Sequence, residues 1–413
     1  MAREMKDSGV SWIGKIPEIW GIIRFKYLHN GLNTGEAIDK IYWSSDENNR
    51  VFYTAGLVPI RTNYESFSEW KYTTENDLLL ARNGTPYVYY PEADACYTDH
   101  IIRAIMKSGV NKRYVQYCLQ QSISSVVVET VSLPTWSASL WNEQSIAWPS
   151  NDEQKAIVNF LDHTCAEIDA IVEKTKATIE ECRKLKQAII TRAVTKGIRG
   201  DRPMKDSGIE WVRDLPLDWK TIPSKHVFSN SDERKRSDDV LLTASQKHGI
   251  ISQQKYMEKE ETRIVLANKG IEDWKHVEPN DFIISLRSFQ GGLEISEVSG
   301  CITWHYIVLK AKIPLHSLYF KWLFKSELYI KALQRTCNFI RDGQDLRYSN
   351  FAQVPLFIPP IAEQVEIANY LNEKCAEINA LIDRKSRFLS ELEAYKKSLI
   401  YEYVTGKKEV SAE

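Results

Sequence analysis

Two duplicated features hold the residue types from which a catalytic site could be built. Glu69-Trp70-Lys71 has the form of the end of a nuclease carboxylate–lysine motif, but Asp273-Trp274-Lys275 repeats it with no preceding Pro-Asp, which points to a structural role. His100 and His305 fall among apolar strand residues, the setting of satisfied core histidines rather than of metal ligands or bases. A base-modifying methyltransferase needs an Asn/Asp-Pro-Pro-aromatic loop to hold a flipped base. The one Pro-Pro pair, Pro359-Pro360, is followed by Ile361. Neither a G-x-x-x-x-G-K-[ST] loop for ATP nor a G-x-G-x-x-G turn for a dinucleotide occurs. The enzyme reading has little to stand on, and the question becomes what elements the chain builds and what they hold in place.

The longest candidate support runs from Asn151 to Gly197, with no proline or internal glycine and with Glu, Lys, Ala and Ile dominant. Asn151 or Asp152 can cap its start and Gly197 its end. At ~1.5 Å per residue such a helix is roughly 65 Å long. Steps of four and three pick out Ile157, Leu161, Thr164, Ile168, Ile171, Thr175, Thr178, Cys182, Leu185 and Ile189, a heptad seam that requires a partner. The partner is the stretch from Ala362 onward. At one constant offset Glu153-Gln154 recurs as Glu363-Gln364, Leu161 as Leu371, and Cys165-Ala166-Glu167-Ile168 as Cys375-Ala376-Glu377-Ile378. Its seam reads Ile367, Leu371, Lys374, Ile378, Leu381, Lys385, Phe388, Leu392, Tyr395 and Leu399.

The duplication extends to the rest of the chain. MKDSGVSWIGKIPEIW, from Met5 to Trp20, returns as MKDSGIEWVRDLPLDW, from Met204 to Trp219. This segment is too short for a domain and reads as a clip onto the helices or onto its own globule. Asn76 to Leu80 matches Asn280 to Ile284, and Cys96 and His100 match Cys301 and His305. LLLAR, YVYY, FIISL and CITWHYIVL read as strands, and Lys112–Ser122 and Leu315–Lys331 as helices. The organisation is therefore a globule over 1–150, a helix over 151–197, a second globule over 198–360, a second helix over 361–408 and a tail over 409–413. The expected fold class is α/β (α+β), two globular domains joined by two long antiparallel coiled-coil helices with an internal pseudo-two-fold repeat. One chain imitating an isologous dimer suits a target made of two separated half-sites.

Composition sets limits. The 413 residues are 43% apolar and 26% charged, with 54 basic and 55 acidic side chains and a net charge of −1. That balance argues against a simple nucleic-acid coat, so any DNA-binding surface has to be a local patch or be shared with a basic partner. No apolar run has the length of a membrane span, and the start, MAREMKDSG, lacks a signal-peptide core. Seven scattered cysteines without C-x-x-C fit a reducing, cytoplasmic setting, with Cys96, Cys301, Cys165 and Cys375 as small buried hydrophobes.

The paired D-S-G-x-x-W…P-x-x-W segments, the diverged globules and P-P-I-A-E-Q-x-x-I-A-x-x-L from Pro359 to Leu371 resemble the specificity (S) subunits of type I restriction–modification systems. The first copy departs from the pattern, with Trp148-Pro149-Ser150-Asn151 where the second has Pro-Pro. The resemblance implies a prokaryotic, non-catalytic subunit whose two target recognition domains each read one half of a bipartite, asymmetric double-stranded DNA site. The coiled coil would set the spacer. Methylation subunits carrying S-adenosylmethionine would dock on the helices and modify adenine N6, and an ATP-dependent, Mg-using translocase/nuclease subunit would complete the restriction enzyme. No cofactor or metal is expected in this chain.

Base edges call for Arg, Lys, Asn or Gln, and phosphates for further basic or hydroxyl groups, from loops where the halves differ. In the first half these are Arg61, Arg82, Asn83, Thr85 and Tyr87, then Thr135, Trp136 and Ser137. In the second they are Arg287, Ser288 and Gln290, then Arg341, Gln344, Arg347 and Tyr348. Arg234-Lys235-Arg236 is a further basic cluster, of the kind that usually forms a solvated face. The alternatives are a structural coiled-coil scaffold or a stand-alone DNA-binding decoy without a restriction role.

Overall fold

The computed structural model describes residues 3–83, 86–123, 135–245, 247–261, 270–285, 288, 292–336 and 346–410. The protein is mixed α/β and divides into two compact units, Met1–Lys176 with Arg387–Glu413, and Ala177–Ser386.

Each unit is built on a four-stranded antiparallel sheet of the same strand order. In the first the order is His29–Thr34, Ile101–Met106, Asp77–Ala81, Val88–Tyr89. In the second it is Phe228–Ser231, Ile307–Ala311, Phe282–Ile284, Glu294–Ile295. The central pairing keeps its register: Leu80 faces Ile102 as Ile284 faces Ile307. What differs is the second layer. The first unit adds a sheet of Cys96–Tyr97, Arg50–Tyr53, Ile60–Thr62 and Trp43–Ser44, whereas the second has two separate strand pairs, Leu242–Ser245 with Gly249–Ser252 and Lys275–Val277 with Gly300–Ile302.

Three elements depart from the sequence reading. CITWHYIVL is two strands, Gly300–Ile302 and Ile307–Ala311, separated by a turn in which the Tyr306 N–H donates to Thr303 O at 3.0 Å. The helix expected over Leu315–Lys331 is Ser317–Lys325 followed by Glu327–Arg335. Ser326 is buried and extended, and its hydroxyl caps the second piece by accepting from Tyr329 N. The first long helix, Asn151–Lys196, is capped by Ser150, whose hydroxyl accepts from Glu153 N at 3.3 Å, rather than by Asn151 or Asp152.

The second long helix is Ile361–Val404. In the first unit Phe160 packs on Tyr403, with tilted rings and centroids 4.4 Å apart, and Lys396 pairs with Asp169 at 2.6 Å. In the second Lys186 donates to Asn379 at 2.8 Å, and Gly197 lies beside Glu363. Within each unit a step forward along one helix is matched by a step back along the other, so the helix segments pair antiparallel.

The seam is one residue off the heptad read from the sequence at every second position. Ile157, Leu161 and Ile168 are buried, but so are Cys165, Val172 and Ile179, while Ile171 and Leu185 stand 44% and 54% exposed. On the second helix Ile367, Leu371, Cys375 and Leu399 are buried and Ile189 opposite is half-buried, as are Ile378, Ile382, Leu389 and Leu392. Leu381 and Phe388 are 41% and 44% exposed. After three of the shared seam residues an apolar residue sits at both the third and the fourth position (Ile171 and Val172, Leu381 and Ile382, Phe388 and Leu389), so the spacing there fits two faces about 100° apart. Cys165 and Cys375 decide between them, because a thiol is buried at less cost than the Thr164 hydroxyl or the Lys374 ammonium beside it.

The clip is a two-stranded hairpin in both copies, Met5–Asp7 with Lys15–Pro17 and Met204–Asp206 with Asp214–Pro216. Behind it, Gly21–Arg24 pairs with Ser145–Trp148 and Lys220–Pro223 with Pro355–Ile358, tying each clip to the strand that leads into a long helix. A latch repeats here. The Trp20 indole donates to Glu153, and Arg3 pairs with Glu153 at 2.6 Å; in the second unit Trp219 and Arg202 engage Glu363. Tyr114 donates to Ala147 O at 2.8 Å, with Val404 O at 3.2 Å, and Tyr319 to Phe357 O at 3.1 Å, with Val194 O at 3.4 Å. Each unit thereby holds the start of one long helix and the end of the other. Among the described residues no helix is long and apolar enough to cross a membrane. Burial pushes the Cys96 thiol up to about 12 and that of Cys301 to about 11, as small core residues would show.

Candidate nucleic-acid interface

In the first unit three segments meet beyond the end of the central strands. Strand Asp77–Ala81 runs out at Arg82, whose N–H donates to His100 O at 2.8 Å and whose carbonyl accepts from Trp136 N at 2.6 Å. Asn83 bridges to Thr135, and its amide nitrogen lies 2.8 Å from His100 Nδ1. Arg82, Thr135 and His100 are exposed and Asn83 is half-buried. The structure thus joins Arg82, Asn83 and Thr135 into one surface and adds His100, which the sequence reading had placed in the core. The apolar residues on either side of His100 belong to strands, but His100 itself sits in the turn between them.

Trp136 is an anchor and not a reader. It is 1% exposed, its ring lies 4.6 Å from that of Trp141, and Trp141 in turn donates to Ala81 O at 3.2 Å. Ser137 caps the helix Ala138–Asn142, accepting from Leu140 N at 3.2 Å. Tyr87 packs on Tyr89 with centroids 4.8 Å apart. Arg61 lies in the other sheet and donates to Asn49 O at 2.9 Å, and no contact among the described residues links it to the cluster.

In the second unit Ser288 is buried and its hydroxyl closes a turn by accepting from Ser285 N at 2.8 Å. Tyr348 donates to Phe228 O at 2.9 Å and so anchors its loop. Arg347 is exposed, and its N–H donates to Asn350 Oδ1 at 3.0 Å at the head of a short helix. Burial therefore removes Trp136 and Ser288 from the candidates for base contact, because neither can reach a ligand. Thr85, Arg287, Gln290, Arg341 and Gln344 lie outside the described residues.

The turn equivalent to that of His100 carries Trp304 and His305. Trp304 is 53% exposed and stacks on His305, with ring centroids 3.5 Å apart and an interplanar angle of 25°. His305 too is exposed, contrary to the core placement read from the sequence. Its Nδ1 lies 3.1 Å from Thr303 Oγ1. The basic cluster is largely neutralised, with Arg234 on Asp273 at 2.9 Å and Arg236 on Glu233 at 2.6 Å and Glu278 at 3.1 Å.

The duplicated acid-Trp-Lys segments are structural. Lys71 is 7% exposed and donates to Thr34 O and Gly35 O, and burial lowers its pKa; Lys275 pairs with Asp232 at 2.9 Å.

No family model and no curated protein matches the sequence. Solved structures do. A chain from a structure of the type I restriction–modification system, in a description of its complex assembly and conformational transition, aligns with a TM-score of 0.66 at 12% identity, over 95% of this chain and 99% of that one. The HsdS subunit from Thermoanaerobacter tengcongensis gives 0.47 at 12% identity, over 95% and 98%, and a type I S subunit from M. genitalium 0.39 at 16%, over 98% and 99%. The first of these, from a type I restriction–modification system, shares this fold along nearly the whole of both chains.

Proposed function

We propose that the chain is the DNA sequence-specificity subunit of a type I restriction–modification complex. Each unit reads one half of a bipartite, asymmetric site, and the two long helices form an antiparallel coiled coil that sets the gap between them. The observation that carries this reading is the unequal duplication. Sheet, clip and latch repeat, while the turns that carry His100 and Trp304-His305 differ in chemistry. A purely structural scaffold has no need to vary those loops and keep their support.

The chain itself carries no catalysis in this reading. Methylation subunits bring S-adenosylmethionine and modify adenine N6, and ATP and Mg belong to a translocase/nuclease subunit. Apolar side chains that face away from the seam, such as Ile171 and Phe388, suit docking of such partners on the helices. The setting is cytoplasmic.

The test is to purify the chain with its methylation subunits and map methylated adenines by long-read sequencing. A two-part motif with a fixed unread gap is expected. Absence of sequence-selective binding at moderate salt sinks the proposal.

A further inference from the structure

We propose that the turn ahead of the central strand is a base-reading element in each unit, and that in the first unit Asn83 and His100 together read an A·T pair. The inference rests on the function proposed above and deepens it.

The argument starts from the hydrogen bond between the two side chains. Asn83 Nδ2 lies 2.8 Å from His100 Nδ1. With the amide nitrogen facing Nδ1 the amide donates, Nδ1 accepts and Nε2 carries the ring proton; the flipped amide exchanges the two roles and still leaves the pair with one donor and one acceptor. Asn83 Oδ1 and the His100 Nε2–H have no partner among the described residues. The pair therefore presents one acceptor and one donor to solvent. Its backbone is fixed from both sides, by Arg82 N to His100 O at 2.8 Å and Trp136 N to Arg82 O at 2.6 Å, and Trp136 is itself held in the core. A hydrogen-bonding pair on a rigid seat loses little freedom on binding.

In the major groove only adenine offers both a donor, N6–H, and an acceptor, N7. Guanine shows two acceptors, cytosine a donor, and thymine an acceptor beside a methyl group. A matched acceptor and donor on the protein thus select adenine.

The second unit has placed different chemistry at the same turn. Trp304 lies stacked on His305 with half its surface open, which suits stacking on an exposed base or sugar rather than hydrogen-bonding to an edge. Asp99, the residue before His100, instead accepts from Thr98 Oγ1 at 2.7 Å. The two turns share a scaffold and differ in what they offer, as two heads reading unlike half-sites require.

The experiment uses the full chain assembled with its methylation subunits. His100→Ala and Asn83→Ala are expected to relax the same single A·T position in one half-site, by roughly tenfold in discrimination. The other half-site should remain intact and serves as the control for folding. Trp304→Ala should weaken only that other half-site. Replacing the adenine by 7-deazaadenine should cost the unmodified complex the same factor and His100→Ala nothing further. A His100→Ala complex that reads both half-sites unchanged overturns the proposal, as does an equal loss on every sequence. If the unmodified complex shows no selectivity, the proposed function itself fails; selectivity that survives all three substitutions refutes this inference alone.

Discussion

The indole nitrogen of Trp219 donates to the Glu363 carboxylate at 3.1 Å, inside a site where Glu363 has no exposed surface and Arg202 supplies the counter-charge. The first copy of this latch is looser: the Glu153 side chain is 20% exposed and that of Arg3 25%. Glu363→Ala, which leaves the buried Trp219 N–H unpaired and Arg202 with Asp218 alone, should cost roughly 2–3 kcal/mol. Glu153→Ala should cost about 1 kcal/mol, as expected for a pair in contact with water. Urea unfolding of the two variants checks this, and equal losses would contradict it.

Gly406 and Gly197 both have φ near +70° and both are crowded. A Cβ on Gly406 would lie 2.5 Å from Pro17 and 2.9 Å from Trp20, and one on Gly197 2.7 Å from Glu363. Gly406→Ala should destabilise the first unit by about 1–3 kcal/mol. Gly200→Ala, with nothing near its Cβ, should stay within about 0.5 kcal/mol. Thermal melts of the pair measure the difference.

The phase of the seam gives a third expectation. Ile168→Ala and Leu371→Ala remove buried side chains and should each cost about 2–5 kcal/mol. Ile171→Ala and Leu381→Ala, on the outer face, should change stability by about 0.5 kcal/mol or less. The reverse ranking would restore the heptad first read from the sequence.

Glu294 supplies a pH dependence. Desolvation raises its carboxyl above the ordinary 4.5, against the pull of Lys325 and Lys321. Its folded pKa exceeds its unfolded one, so the native state takes up the proton first as pH falls, and stability falls as pH rises through that window. Glu294→Gln should therefore stabilise the protein at neutral pH, with the gain shrinking as pH drops from above 4.5 to below it. Denaturant midpoints of both proteins at several pH values would show a constant difference if Glu294 does not titrate abnormally.

The duplication, the element types and both long helices are legible in the sequence because repeats and helical periodicity are local signals. The seam phase is not, since Ile171 beside Val172 gives periodicity no preference. The cysteines held the missing information: once Cys165 and Cys375 are taken as buried, the seam has to pass through them. His100 and His305 were misplaced because apolar flanks say nothing about a turn that interrupts them. The latch was visible only in part. Glu153 and Glu363 recur at one offset, but nothing in sequence shows that a carboxylate in the first turn of a helix is buried against an indole. Trp136 illustrates the opposite error, an aromatic in a polar loop that turns inward to hold the loop in place.

The fittings that seat each head, Arg3, Trp20, Glu153 and Gly406 in one copy and Arg202, Trp219, Glu363 and Gly197 in the other, all lie outside the diverged loops. A genetic exchange with both crossovers in the helix-coding segments would import a foreign head with its mountings already matched. On the function proposed above, such a lineage would acquire a new target in one recombination, where a protein with its contacts scattered through the loops would need many compensating substitutions.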